Sequence, residues 1–158
     1  MRQNLIALTI GLLALGAGLV SYDWHKADFS TLGGEQYHWS ELQDHYVVIN
    51  YFAEWCAPCL RELPELNAFA KGIGDKPVKL FGVSFDPLNK EALQDLATRY
   101  NIEFELVLPE PLPNLPNPMP KGLPATFIIG PDGKVARQLL GEQTSDGLWQ
   151  ILTQLQAL

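Results

Sequence analysis

The sequence predicts an α/β domain: a mixed central β-sheet flanked by helices on both faces. Three observations predict it. A β-branched and aromatic run, Tyr46–Phe52, leads into a helical stripe and then into a second apolar run, Val78–Phe85, so strand, helix and strand alternate. A Pro131-Asp132-Gly133-Lys134 turn separates two further apolar runs and makes them an antiparallel hairpin. A final amphipathic stretch supplies a closing helix. The alternating portion implies parallel strands and the hairpin implies antiparallel ones, hence a mixed sheet.

Each element can be justified in order. Residues 1–24 form a leading segment and 25–158 one domain. The leader has Arg2 and then an apolar run from Leu5 to Val20, with no ionised side chain until Asp23. A core helix would show a polar face, and this run shows none. It spans about 16–18 residues, between a signal-peptide core and a full membrane span. Tyr22 and Trp24 suit a membrane interface. An uncleaved anchor is favoured, with the domain outside the cytoplasm; a signal cleaved among Ala14, Gly16, Ala17 and Gly18 is the alternative. Next, Phe29–Leu32 and Gln36–Trp39 flank Gly33-Gly34 as a hairpin, and Ser40 starts a single turn. Tyr46–Phe52 reads as a buried central strand. The helix after it starts near Cys56 and presents Leu60, Leu63, Leu66 and Phe69. Pro64 should kink it, and Gly72 and Gly74 should end it. Val78–Phe85 is a strand, 89–100 an amphipathic helix, and Phe104–Leu108 a short third strand. Pro109 to Pro124 carries seven prolines, which suits a stiff extended surface loop or a recognition lip beside a site. Ala125–Ile129 and Val135–Leu140 are the hairpin strands. Thr144 or Ser145 caps the last helix.

Composition narrows the function. The chain has 158 residues, enough for one domain with a real core. A net charge of −7 leaves no basic patch for nucleic acid. There are 2 cysteines, Cys56 and Cys59, separated by Ala57 and Pro58. A disulfide across so short a loop removes little chain entropy, so a structural staple is a poor reading. Metal holding is also poor: no second pair exists, and His25, His38 and His45 lie upstream without ligand spacing.

Redox exchange fits better. Cys56 falls after a strand and at the N-terminus of a helix, where unpaired N–H groups and the helix dipole favour thiolate over thiol. Cys59 lies one turn later, shielded and placed to attack a mixed disulfide. A C-x-x-C pair in a βαβ setting is a redox signature.

The stretches "VVINYFAEWCAPCLRELPEL", "VKLFGVSFD" and "GLPATFIIGPDGKVARQLLGE" resemble thioredoxin-fold proteins, most of all the membrane-anchored TlpA/ResA-like thiol-disulfide oxidoreductases. The resemblance implies that Cys56 attacks and Cys59 resolves, with no cofactor beyond the Cys56–Cys59 disulfide. It implies a cis-proline at Pro124, with Leu123 lining the client groove. Trp55 would shield the sulfurs, and Pro58 lies between them. Cytoplasmic relatives carry a buried aspartate where this chain has Asn50. An amide cannot take a proton from Cys59, so Glu62 is the candidate proton acceptor; a solvated helix glutamate is its plain alternative. The expected partners are protein disulfides and a membrane thiol transporter as electron donor, with the chain monomeric at a bacterial inner membrane, facing the periplasm. Family clients include the haem-site cysteines of apocytochrome c.

Direction is read from the dipeptide. Across this fold, potentials run from about −270 to −120 mV, roughly 7 kcal/mol of thiolate stabilisation. Ala57-Pro58 adds no histidine to stabilise the thiolate further, which points to the reducing end. Two other uses of the same cysteines remain: a copper metallochaperone, and a peroxiredoxin-like peroxidase. The latter needs a threonine three residues before its reactive cysteine, where this chain has Ala53.

Overall fold

The computed structural model describes residues 26–157. The leading segment and its anchor or signal expectation lie outside the described residues. Among the described residues no helix is long and apolar enough to cross a membrane.

A two-residue hairpin comes first, β1 (Phe29–Ser30) with β2 (Gln36–Tyr37). Then come β3 (Tyr46–Phe52), α1 (Ala57–Ile73), β4 (Val78–Ser84), α2 (Lys90–Arg99), β5 (Glu105–Leu106), β6 (Ala125–Ile129), β7 (Val135–Leu140) and α3 (Ser145–Gln156). The main sheet has the order β5-β4-β3-β6-β7. β3 pairs parallel with β4 and β4 with β5; β3 pairs antiparallel with β6 and β6 with β7. The mixed sheet is therefore parallel on one side of β3 and antiparallel on the other.

The helices are distributed differently from the expectation of both faces. The buried residues of all three, including Leu63 and Phe69 of α1, Leu93 of α2 and Leu148 of α3, fall in one core cluster with Val48 and Phe52 of β3. Val47, Ile49 and Tyr51 of β3 belong to a second cluster with Phe29, Leu42 and Val107, and Trp39 and Leu115 pack against it. Handedness accounts for this. The chain steps from β3 to β4 to β5 in one direction across the sheet, and successive right-handed crossovers put both connecting helices on the same face. The β1–β2 hairpin and the proline-rich segment cover the other face.

One expectation for α1 also changes. The helix runs on through Pro64 to Ile73, with Gly74 as its C-cap. Gly72 therefore lies inside it. A Cβ there would stand 3.3 Å from Trp149 Nε1, so the glycine admits the indole of α3, whose ring also lies 4.5 Å from Phe69. The proline-rich segment carries no strand or helix, as expected, but it is not merely surface: Asn117 and Pro120 are buried. Trp39 and Asp28 pin it. Trp39 Nε1 donates to the Asn114 carbonyl, and Asn114 Nδ2 donates to Asp28 Oδ1.

Candidate active site

β3 is a seven-residue strand, and its pleat sends alternate side chains to opposite faces. Asn50 thus points toward α1 and Tyr51 away from it. Immediately after the strand, Cys56 N-caps α1: its sulfur accepts from the Cys59 N–H at 3.3 Å. Pro58 occupies the first turn, where its missing N–H leaves no helical bond unmade. Cys56 and Cys59 are joined as a disulfide. Cys56 is 5% exposed and Cys59 0%, so the first cysteine is the nearer to solvent.

Glu62 follows Cys59 by three residues and is 1% exposed, which removes the solvated-glutamate alternative. Its Oε1 accepts from Asn50 Nδ2 at 2.8 Å, and its Oε2 accepts from the Gln143 N–H at 2.9 Å. Burial pushes the carboxyl up to about 7, against the smaller opposing pull of those two donors. Asn50 Nδ2 also donates to Thr126 Oγ1 at 3.1 Å. The loop that carries Gln143 is tied to α1 by the Arg61–Glu142 ion pair and by the Ser145 N–H donating to Glu65 Oε2.

The Leu123–Pro124 peptide bond is cis. Ala125, next in the chain, lies opposite Tyr51, and Thr126 opposite Asn50, so the β3–β6 pairing carries the cis-proline to the end of the sheet where α1 begins. Leu123 packs against both core clusters. Trp55 is not packed over: it is 65% exposed, its Nε1 donates to Asp86 Oδ2 at 2.8 Å, and its ring stands edge-on to Phe85. Asn50, Cys56, Cys59, Glu62 and Pro124 are thus gathered at one end of β3. Sequence reasoning gave no role to Thr126, Gln143 or Asp86. Thr126 stood within a quoted motif, but Gln143 acts through its backbone and left no side-chain signal.

Among the described residues no group of three or more His, Cys, Asp or Glu side chains can hold a metal ion. What the arrangement offers is a dithiol–disulfide couple with a buried carboxyl beside it. The AhpC/TSA family model matches residues 23–138. The chain belongs to that family. Its curated relatives include the thiol-disulfide oxidoreductase ResA of Bacillus anthracis, 23% identical over 94% of this chain and 95% of the relative. ResA of Bacillus subtilis (strain 168) is 29% identical over 70% of this chain and 62% of its own. Among solved structures, StoA from Bacillus subtilis superposes with a TM-score of 0.66 at 21% identity, covering 77% of this chain and 92% of StoA. A thiol:disulfide interchange protein from Chlorobium tepidum TLS superposes at 0.65, with 19% identity and coverage of 79% and 89%. The fold is thioredoxin-like, and the chain is a ResA homologue that carries the Cys-x-x-Cys disulfide of a thiol-disulfide oxidoreductase.

Proposed function

We propose that this thiol-disulfide oxidoreductase works as a reductase of disulfides in exported proteins, through a Cys56/Cys59 dithiol–disulfide cycle. The single observation that carries the reading is Cys56 at the N-cap of α1 with buried Cys59 bonded to it and Glu62 one turn beyond.

In the reduced protein, the helix N-terminus favours the Cys56 thiolate. That thiolate attacks a client S–S bond, forming a mixed disulfide and releasing one client sulfur as thiolate. Cys59 then loses its proton to Glu62 and attacks the Cys56 sulfur. The Cys56–Cys59 bond forms, the mixed disulfide breaks, and the second client sulfur leaves. Two electrons pass to the client, whose two sulfurs end as thiols. An external dithiol then restores the pair, and a membrane thiol transporter is the class of donor the reading assigns.

A carboxyl near 7 suits proton transfer at neutral pH, since it both accepts and returns a proton readily. Asn50 serves as a positioning residue that holds Glu62. Leu123 and Pro124 would face the client backbone, and Trp55 would flank it. The Ala57-Pro58 dipeptide supports the reducing direction. The apolar leader supports work outside the cytoplasm, by an anchored or a cleaved form, and cytochrome c maturation is the pathway the ResA likeness favours.

The test is reduction of insulin by the domain with dithiothreitol. Cys56→Ser should abolish it. A measured potential at the oxidising end of the fold's range would overturn the direction.

A further inference from the structure

On the helix-free face, a cavity of about 280 Å³ opens between the ends of β3, β4 and β5 and the proline-rich segment. Val83, Val107, Leu115 and Met119 make it predominantly apolar. Three polar side chains also line it: Ser84, whose Oγ donates to the Asp86 carbonyl at 2.8 Å, Asn117 and Tyr51. Asn117 is 8% exposed; its Nδ2 donates to Tyr51 Oη at 2.8 Å and to the Pro118 carbonyl at 3.2 Å. Its Oδ1 is buried and has no partner. The Tyr51 hydroxyl accepts from Asn117, so its own proton is free to be given elsewhere. The pocket wall therefore carries one unused donor, the Tyr51 hydroxyl, in an apolar setting where leaving it unpaired is costly, while Asn117 Oδ1 lies buried behind it.

We infer that this pocket is a client subsite for an aromatic side chain with a hydroxyl at its tip, a tyrosine close in sequence to the client's cysteine. Four observations support that occupant. The volume leaves room for a large aromatic side chain and lies just under the usual range for a cofactor or drug-sized ligand. A phenol oxygen accepts from the Tyr51 hydroxyl and so satisfies the donor that Asn117 leaves unused. The pocket adjoins the redox site: Phe85 lines it and touches Trp55, the neighbour of Cys56, while Tyr51 sits opposite Ala125, the neighbour of Pro124. Its lip is held in place by the Trp39–Asn114–Asp28 bonds, and Leu112 and Met119 on that lip are exposed apolar side chains. The inference rests on the thiol-disulfide exchange proposed above and adds a specificity to it.

The experiment compares disulfide-linked peptides that carry tyrosine, phenylalanine or glycine at one position, scanned through the four residues on each side of the cysteine. Reduced wild-type protein should favour phenylalanine over glycine by about tenfold in kcat/KM at one position. It should favour tyrosine over phenylalanine there by about fivefold. In Tyr51→Phe the tyrosine preference should vanish while the preference for an aromatic ring persists. Asn117→Ser, which removes the Nδ2 donor that orients the Tyr51 hydroxyl, should weaken the same preference. A small linear disulfide without side chains, bis(2-hydroxyethyl) disulfide, is measured alongside. Equal rates on all three peptides at every position, with the small disulfide still exchanging, would overturn the subsite alone. Failure on the small disulfide would overturn exchange and subsite together.

Discussion

Asn50 donates its amide N–H to Glu62 Oε1 at 2.8 Å, and no cation pairs with that carboxyl among the described residues. A strand residue six positions before Cys56 thus holds a helix residue three positions after Cys59. Burial of the uncompensated carboxyl raises its pKa to about 7. The fold consequently contains a group that changes charge near neutrality one helical turn after Cys59.

The first prediction concerns stability against pH. Glu62 binds its proton more tightly folded than unfolded, because its pKa rises from 4.5 to about 7. The stabilisation is therefore full below the unfolded value and is lost as pH rises through the folded one. The domain should lose about 3 kcal/mol of unfolding free energy between pH 4.5 and 7 from this group. Glu62→Gln should flatten that slope in urea titrations. The same substitution should remove an inflection near pH 7 from the alkylation rate of the reduced thiols. An unchanged alkylation profile would leave Glu62 with a structural part only.

Restoring an aspartate at position 50 should be harmful here. In Asn50→Asp, two carboxyls would meet at the 2.8 Å separation now spanned by a hydrogen bond. They cannot both ionise cheaply, so the pair would share a proton and titrate in two coupled steps. The variant should be less stable at pH 8 than at pH 5 by more than the parent is. Thermal unfolding across that range measures it.

Much of this was legible from residue pattern. Tyr46–Phe52 stands where its apolar run placed it, because a buried strand advertises itself through β-branched and aromatic side chains; Val135–Leu140, an exposed strand, was placed instead by the Pro131–Lys134 turn before it. The Cys-x-x-C pair and the proline at 124 carried most of the site. The face taken by α2 was not legible. It depends on β5 pairing outside β4, a two-residue strand whose partner no local pattern specifies. The burial of Glu62 was only half legible. A glutamate on a helix is ordinarily solvated, and what covers this one is the loop at Gln143, 81 residues away in the chain. Gly72 looked like a helix end because glycine favours ends, yet close approach of Trp149 decides its place.

Gly82 tests the packing behind β4. A Cβ there would lie 2.6 Å from Leu106 Cδ2, 2.8 Å from Phe104 Cε2 and 3.2 Å from Phe52 Cε1. Those side chains are buried in the helix-side core, so they cannot all retreat. Gly82→Ala should cost about 1–3 kcal/mol through overpacking, despite the usual gain from replacing glycine in a strand. Gly82→Ala with Leu106→Ala should recover only part of it, since the second change opens a cavity. Denaturant midpoints of the three proteins would decide.

Thr126 isolates the hydrogen bond that the sequence did not reveal. Its Oγ1 accepts from Asn50 Nδ2 at 3.1 Å, and both residues are fully buried. Valine has the same shape without the oxygen. Thr126→Val should therefore leave packing intact while stripping one partner from the amide, at a cost of about 1–3 kcal/mol. The pH dependence separates this from a simple cavity. With one restraint on Asn50 gone, its amide is freer to turn its unpartnered Oδ1 toward Glu62. An acceptor in that position favours the protonated carboxyl, so the pKa of Glu62 should rise further, and the alkylation inflection should move to higher pH. A stability loss with no such movement would mean that Thr126 supports the strand without tuning Glu62.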